Sequence, residues 1–275
     1  YWKPTELKHN PLELLPQLTT TSITEQLWII FCDQKQNIGK QIANILSQHQ
    51  VNNENITLIY LSTEENKNFN LMNSFKQIII HDTSSISTTI RNIIQQNILL
   101  KHSLLNIVFA WPLDLPTFNH DDITNHLNFQ AQEDIGCGIL MHIIQSIYET
   151  KFYSYPNMFV LTQNSQLPVN RNNRQNFNIT QSPIIGFARS LINEYTMNRM
   201  KLIDIQSSNL SVNLFNSLIN EMYSTIYSSS NSFHDEEVIL SSSENINIIQ
   251  RYLPMYAMIQ PSKYSKLNNV KTTII

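Results

Sequence analysis

One stretch, Trp28-Ile29-Ile30-Phe31-Cys32-Asp33-Gln34-Lys35-Gln36-Asn37-Ile38-Gly39, constrains this chain more than any other. A short apolar run ends in a polar turn, and Ile38, Ile42, Ile45 and Leu46 then repeat at helical spacing. Such a strand, turn and helix form the opening unit of a parallel α/β sheet, and the helix N-terminus offers backbone N–H groups to a phosphate. A turn that cradles a pyrophosphate needs glycine, because only glycine turns sharply and lets the ligand approach the backbone. The three glycine positions fall here on Asp33, Asn37 and Gly39, so one glycine of three remains. The fold signal is present while the cofactor signal is damaged, and Asp33 is expected to set a carboxylate near the phosphates.

The rest of the chain continues the alternation. Expected strands are Ile56–Leu61, Lys76–His81, Leu105–Trp111, Asn157–Thr162 and Met200–Ile205. Between them fall helical patterns at Ser84–Lys101, about Asp121–Tyr148 and Ser182–Tyr195. Val212–Tyr227 reads as a further helix, and Glu237–Leu240 and Ile248–Leu253 as closing strands. This order defines an α/β protein with a degenerate Rossmann-like, doubly wound parallel sheet. The polar stretches Asn164–Thr180 and Ser228–Asp235 read as loops. The organisation expected is an N-terminal strand and linker over 1–24, the Rossmann-like subdomain over 25–258, and a C-terminal linker over 259–275.

Composition narrows the function classes. A formal net charge of -3 gives no electrostatic footprint for nucleic acid or anionic lipid, and the apolar runs Leu27–Cys32 and Ile107–Leu113 are too short to span a membrane. Cys32 and Cys137 have neither metal-ligand spacing nor a disulfide pattern, which suits a reduced, cytosolic setting. Only 4 glycines occur in 275 residues, against roughly 7% in average proteins. Asparagine tolerates the left-handed conformation and can take over turn positions that glycine has vacated. The Asn-x-Ser/Thr triplets at Asn55, Asn178 and Asn209 follow from the same bias and carry no message about secretion. The chain opens on Tyr1 with no basic-then-apolar leader, as a piece cut from a longer protein would.

Several motifs in order resemble the structural, non-catalytic half of the ketoreductase region in type I polyketide synthases, similar also to the pseudo-ketoreductase of animal-type fatty acid synthases. Tyr1-Trp2-Lys3-Pro4 matches the aromatic-W-x-P opening strand of that half, and Trp28–Gly39 resembles its first turn. Ile107–Asp114 is similar to V-V-x-L-W-x-L-D, Ile139–Ile147 to L-L-x-L-x-Q-A-L, and Met158–Gln166 to L-W-L-V-T-R-G-A-Q. Ser182-Pro183-Ile184-Ile185-Gly186-Phe187-Ala188-Arg189-Ser190 is close to S-P-L-W-G-L-G-R-V. Lys201–Ile205 stands where the family has R-L-I-D-L, and Arg251-Tyr252-Leu253 fits its closing R-Y-V. The resemblance implies a scaffold subdomain that braces the catalytic, NADPH-dependent ketoreductase half later in a multifunctional parent, a transferase of secondary metabolism. It implies NADPH and phosphopantetheine elsewhere in that parent, and as partners the catalytic half and, in some architectures, an inserted enoylreductase. For this segment it implies no cofactor, no catalytic residue and no metal.

Departures from a working reductase point the same way. A short-chain reductase carries T-G-x-x-x-G-x-G at the first turn and a serine assisted by a Tyr-x-x-x-Lys pair. Here no tyrosine lies between Tyr155 and Tyr195, and no lysine between Lys151 and Lys201, so Ser165 is left without its proton donor. Asn37 and Asn164 replace glycines, and neither loop is expected to keep the usual backbone freedom. Other chemistry has plain structural readings. His120-Asp121-Asp122 caps a helix, His81-Asp82 begins a turn, His142 lies on an apolar helix stripe, and His234-Asp235-Glu236-Glu237 is a solvated charge run. Arg189 is a candidate phosphate ligand, although the resemblance places it in a packing helix. Tyr1 and Trp2 suit a sheet-edge contact with another domain, the strand crossing to a neighbour's sheet. The alternatives are a free-standing or atypical NAD(P)-dependent short-chain oxidoreductase and, more weakly, a regulatory nucleotide-binding module.

Overall fold

The computed structural model describes residues 2–5, 26–49, 51–61, 75–81, 86–98, 104–116, 133–149, 155–166, 178–195, 199–206, 210–227, 236–243 and 246–254. Its strands are β1 (Trp2–Thr5), β2 (Gln26–Phe31), β3 (Ile56–Leu61), β4 (Lys76–Ile80), β5 (Leu104–Phe109), β6 (Asn157–Gln163), β7 (Arg199–Gln206), β8 (Glu237–Ser243) and β9 (Ile246–Pro254). The α-helices are α1 (Ile38–Gln48), α2 (Ile86–Ile98), α3 (Ile139–Glu149), α4 (Ser182–Glu194) and α5 (Val212–Tyr227). All nine strands form one sheet in the order β1-β9-β8-β7-β6-β5-β2-β3-β4. From β4 to β8 every neighbouring pair is parallel, whereas β9 runs antiparallel to both β8 and β1. The expected doubly wound parallel sheet is therefore the fold, with a mixed edge.

Strand periodicity explains the two-sided core. Along β2, Trp28 and Ile30 enter one apolar layer with Ile38 and Ile42 of α1 and Leu218 and Met222 of α5. Leu27, Ile29 and Phe31 enter the other, with Ile90 of α2, Ile143 of α3 and Ile184 of α4. Successive side chains point to opposite faces, so a strand covered on both sides must be apolar at every position, as Gln26–Phe31 nearly is. From β2 the chain moves outward to β3 and β4, then returns to lay β5 on the other flank of β2. That reversal leaves a crevice beyond the carboxyl ends of β2 and β5, where open α/β sheets place ligands.

One expectation changes. Trp111 is not in a strand: β5 stops at Phe109, and Trp111–Asp114 form a 3-10 turn that contains Pro112. Proline has no N–H to give a ladder, and the Trp111 indole instead donates to the Ile59 carbonyl at 3.2 Å. The helix expected over about Asp121–Tyr148 is seen as a π-helical turn, Asp134–Gly138, leading into α3, its earlier part lying outside the described residues. Trp2–Thr5 pairs with Arg251–Pro254 of its own chain, because β9 otherwise presents a bare row of backbone donors and acceptors.

Candidate functional site

At the crevice, β2 hands over to α1 through Cys32–Asn37. Asp33 is fully buried in that turn. Its Oδ1 accepts the Gly39 N–H at 2.8 Å and its Oδ2 the Gln36 N–H at 3.2 Å. Helix N-termini leave such N–H groups without intrahelical partners, and they are the groups a pyrophosphate would use. The carboxylate thus sits on the donors themselves, not merely near them. Burial pushes the Asp33 carboxyl up to about 6, the N–H groups of Gly39, Ile38 and Gln36 pulling down and the Asp114 charge adding to the rise.

A second carboxylate completes the filling. Asp114, on the turn after β5, accepts the N–H groups of Gln34 at 2.8 Å and Lys35 at 2.9 Å, while Lys35 Nζ donates to the Asp114 carbonyl at 2.6 Å. Burial raises the Asp114 carboxyl against the pull of those N–H groups and of the Lys35 charge. The Gln34 side-chain amide donates to the Leu61 carbonyl at the end of β3. Sequence reasoning missed Asp114 and Gln34, since nothing in the spacing of the chain shows that the turns after β2 and β5 meet.

The two remaining turn positions divide their labour. A Cβ on Gly39 would lie 3.0 Å from both Cα and Sγ of Cys32 and 3.2 Å from Ile30 Cγ2, so this glycine lets α1 pack against β2. Asn37 holds φ 56° and Asn164 φ 51°, the left-handed region that glycine would otherwise supply. The expectation that these asparagines cost the loops their backbone freedom is corrected: both take up the left-handed conformation.

Beyond β6, Ser165 is buried, with its Oγ 2.8 Å from Gln181 Oε1 and 3.0 Å from the Gln163 carbonyl. Asp204 on β7 ties down this loop. Its Oδ1 accepts from Thr162 Oγ1 at 2.8 Å and the Ser165 N–H at 3.0 Å, and its Oδ2 from Gln206 Nε2 at 3.2 Å and the Gln166 N–H at 3.3 Å. Burial raises the Asp204 carboxyl, opposed by these bonds. Tyrosine and lysine lie elsewhere. Tyr155 precedes β6 and Tyr195 ends α4, both at the opposite end of the sheet, where Tyr148 stands 6.3 Å from the first ring and 4.7 Å from the second. Lys201 is buried with its Nζ 2.7 Å from Glu221 Oε2, and Arg251 Nε meets the other oxygen of Glu221.

The remaining candidates resolve in part. Arg189 is no open phosphate ligand, because its Nη2 sits 2.6 Å from Glu237 Oε1 and its Nε 3.2 Å from both carboxylate oxygens. Glu237 is accordingly buried, not part of a solvated run, although Glu236 beside it is exposed. His142 is half-buried, and His81 is exposed after β4. His120–Asp122, Asp82, His234, Asp235, Tyr1 and the tail from 259 lie outside the described residues, and nothing is placed for the Trp2 side chain. Among the described residues no three His, Cys, Asp or Glu side chains group as metal ligands, and no helix is long and apolar enough to cross a membrane.

No protein-family model matches the chain, and no curated protein matches it in sequence. Solved structures do match in shape. A double variant of a Serratia marcescens short-chain dehydrogenase/reductase is 9% identical with a TM-score of 0.52, the match covering 80% of this chain and 97% of that one. A Burkholderia multivorans protein assigned as a short-chain alcohol dehydrogenase is 9% identical with a TM-score of 0.51, covering 78% and 96%. A Brucella ovis oxidoreductase of the short-chain dehydrogenase/reductase family, in complex with a partially ordered NAD, is 10% identical with a TM-score of 0.49, covering 78% and 98%. The chain has the short-chain dehydrogenase/reductase fold.

Proposed function

We propose that this chain is a catalytically silent scaffold on a reductase fold. It is the structural half of the ketoreductase region of a type I polyketide synthase, bracing the catalytic NADPH-dependent half later in the parent. One observation carries the silent part of that reading: the Asp33 carboxylate occupies the Gln36 and Gly39 N–H groups that a dinucleotide pyrophosphate would need. A second anion brought there would meet both the Asp33 and the Asp114 charge, with its donors already taken. On the Ser165 side, the described tyrosines that flank the segment, Tyr155 and Tyr195, stand at the far end of the sheet. The polyketide parent rests on the resemblance of the ordered motifs from Tyr1 to Leu253. Acyl chains on phosphopantetheine and the reduction itself belong, in this reading, to other domains. Calorimetric titration tests the silent part. Neither NADPH nor NADH is expected to bind in the micromolar range, and micromolar binding of either would return the chain to the class of atypical NAD(P)-dependent oxidoreductases.

A further inference from the structure

Away from the crevice, the amino ends of the parallel strands carry three clustered tyrosines that the scaffold reading leaves unused. Tyr148 lies in the last turn of α3, Tyr195 directly follows α4, and Tyr155 leads into β6. Tyr148 is the middle ring. Its centroid stands 4.7 Å from that of Tyr195 and 6.3 Å from that of Tyr155, with the planes tilted by 43° and 45°. Tyr195 is half-buried against the apolar layer under α3 and α4, which fixes its place, while Tyr148 is 39% exposed and Tyr155 40% exposed. Aromatic contacts of the core, such as Trp28 with Phe159 and Phe31 with Trp111, are closed to solvent. Here the ring surface is open.

The same place is electrically negative. As crossover helices, α3 and α4 both run back to the amino ends of the strands and present their carboxyl ends beside the tyrosines, where unpaired carbonyls concentrate the negative end of the helix dipole. Neither helix has a basic residue in its last turn, and each closes on an exposed glutamate, Glu149 and Glu194. Arg91 of α2 answers Glu149, but Glu194 makes no ion pair among the described residues. Arg199, at the start of β7, reaches the other layer, its Nη1 lying 3.4 Å from the Ile226 carbonyl and 3.5 Å from the Thr225 carbonyl on α5. Partial burial, then Tyr155 and Tyr195, raise the Tyr148 phenol above the ordinary tyrosine range, so this ring stays neutral. We propose that Tyr148, Tyr155 and Tyr195 form a binding site for a small quaternary ammonium ion of the choline type. The face of an aromatic ring is the negative side of its quadrupole and attracts a cation within about 6 Å of the centroid. A quaternary ammonium suits this surface because its methyl groups cover the charge and it has no N–H to satisfy, whereas a lysine ammonium is a strongly hydrated point charge. Anions are disfavoured by Glu194 and by the two helix ends. The proposal goes beyond the scaffold reading and does not rest on it, because this end of the sheet is opposite the dinucleotide crevice.

The test uses the whole chain with isotope-labelled tyrosine rings, followed by NMR. Choline is titrated as the cationic probe, beside neohexyl alcohol, its uncharged isostere in which a carbon replaces the nitrogen. The expected result is saturable movement of the Tyr148, Tyr155 and Tyr195 ring resonances with choline, and at least about threefold weaker binding of the alcohol. Tyr148→Leu keeps apolar bulk and removes the middle ring. It is expected to weaken choline roughly threefold or more, the scale of one cation–π contact at an exposed site, whereas Tyr148→Phe keeps the ring face and the affinity. Should Tyr148→Leu fail to fold, Tyr155→Leu, at an exposed position ahead of its strand, is expected to show the same loss. Absence of saturable movement, equal binding of the neutral alcohol, or undiminished affinity in a folded leucine variant each overturns the site, and the dinucleotide titration judges the scaffold reading separately.

Discussion

At the scale of single residues, Asp33 decides most. Its carboxyl is raised from 3.8 to about 6 by burial, so the folded chain holds this proton more tightly than the unfolded chain does. The resulting stability is fully present below about pH 4, is lost as pH rises through the interval to about 6, and then stays constant. A rise of that size corresponds to a stability change on the order of 3 kcal/mol. Urea unfolding between pH 4 and pH 7 is expected to show a falling stability in the natural chain, with a shallower fall in Asp33→Asn, whose side chain does not titrate. Equal slopes in the two proteins would show that the filled turn does not carry a strained charge. Ser165 belongs to the same scale. Its hydroxyl serves Gln181 or the Gln163 carbonyl. In the proposed polyketide synthase parent, Ser165→Ala is expected to leave carbonyl reduction within about tenfold of normal, a margin of about 1.4 kcal/mol in the barrier. A larger fall in a steady-state assay would give this loop a part in the chemistry.

At the scale of elements, the contact between α1 and β2 depends on Gly39. Of the turn's three glycine positions, two hold Asp33 and Asn37, and the one that lies against the strand remains Gly39. Gly39→Ala would press a methyl against Cys32 Cα, which is backbone and cannot swing aside. A loss of about 1–3 kcal/mol is expected from such overpacking, measured by chemical unfolding. Stability within about 0.5 kcal/mol of normal would show that α1 lifts freely from the sheet. Elements were also what the sequence displayed best. Apolar runs such as Ile56–Leu61 and the helix period of Val212–Tyr227 depend on neighbours along the chain, and both match the structure at each boundary. The candidate site was half legible. The missing glycines could be read from Asp33 and Asn37, and the tyrosine and lysine gaps from the segment around Ser165. Asp114 on the Gln34 and Lys35 N–H groups, and Glu221 between Lys201 and Arg251, join residues tens of positions apart. No local period records such contacts.

At the scale of the whole molecule, the sheet has unlike edges, and the edge bearing β1 belongs to the partnership question. β1 meets β9 through four register pairs, from Trp2 with Pro254 to Thr5 with Arg251. That leaves one side of β1 without a strand among the described residues, and Lys3 and Pro4 there are exposed. A lysine and a proline on an edge strand blunt indiscriminate pairing, yet a cognate strand can still add by main-chain hydrogen bonds. Removing Tyr1–Pro4 would strip the cover from β9 and also withdraw that outer edge. Because Arg251 of β9 is locked to Glu221 of α5, β9 itself should stay in place, and the isolated chain is expected to lose only a few degrees of Tm, the scale of about 1 kcal/mol. Association with the catalytic ketoreductase half of the proposed parent is expected to suffer more. Co-expression of the two halves with and without Tyr1–Pro4, followed by co-purification and thermal unfolding of each, separates the effects. Undiminished co-purification after the deletion would confine β1 to closing its own sheet.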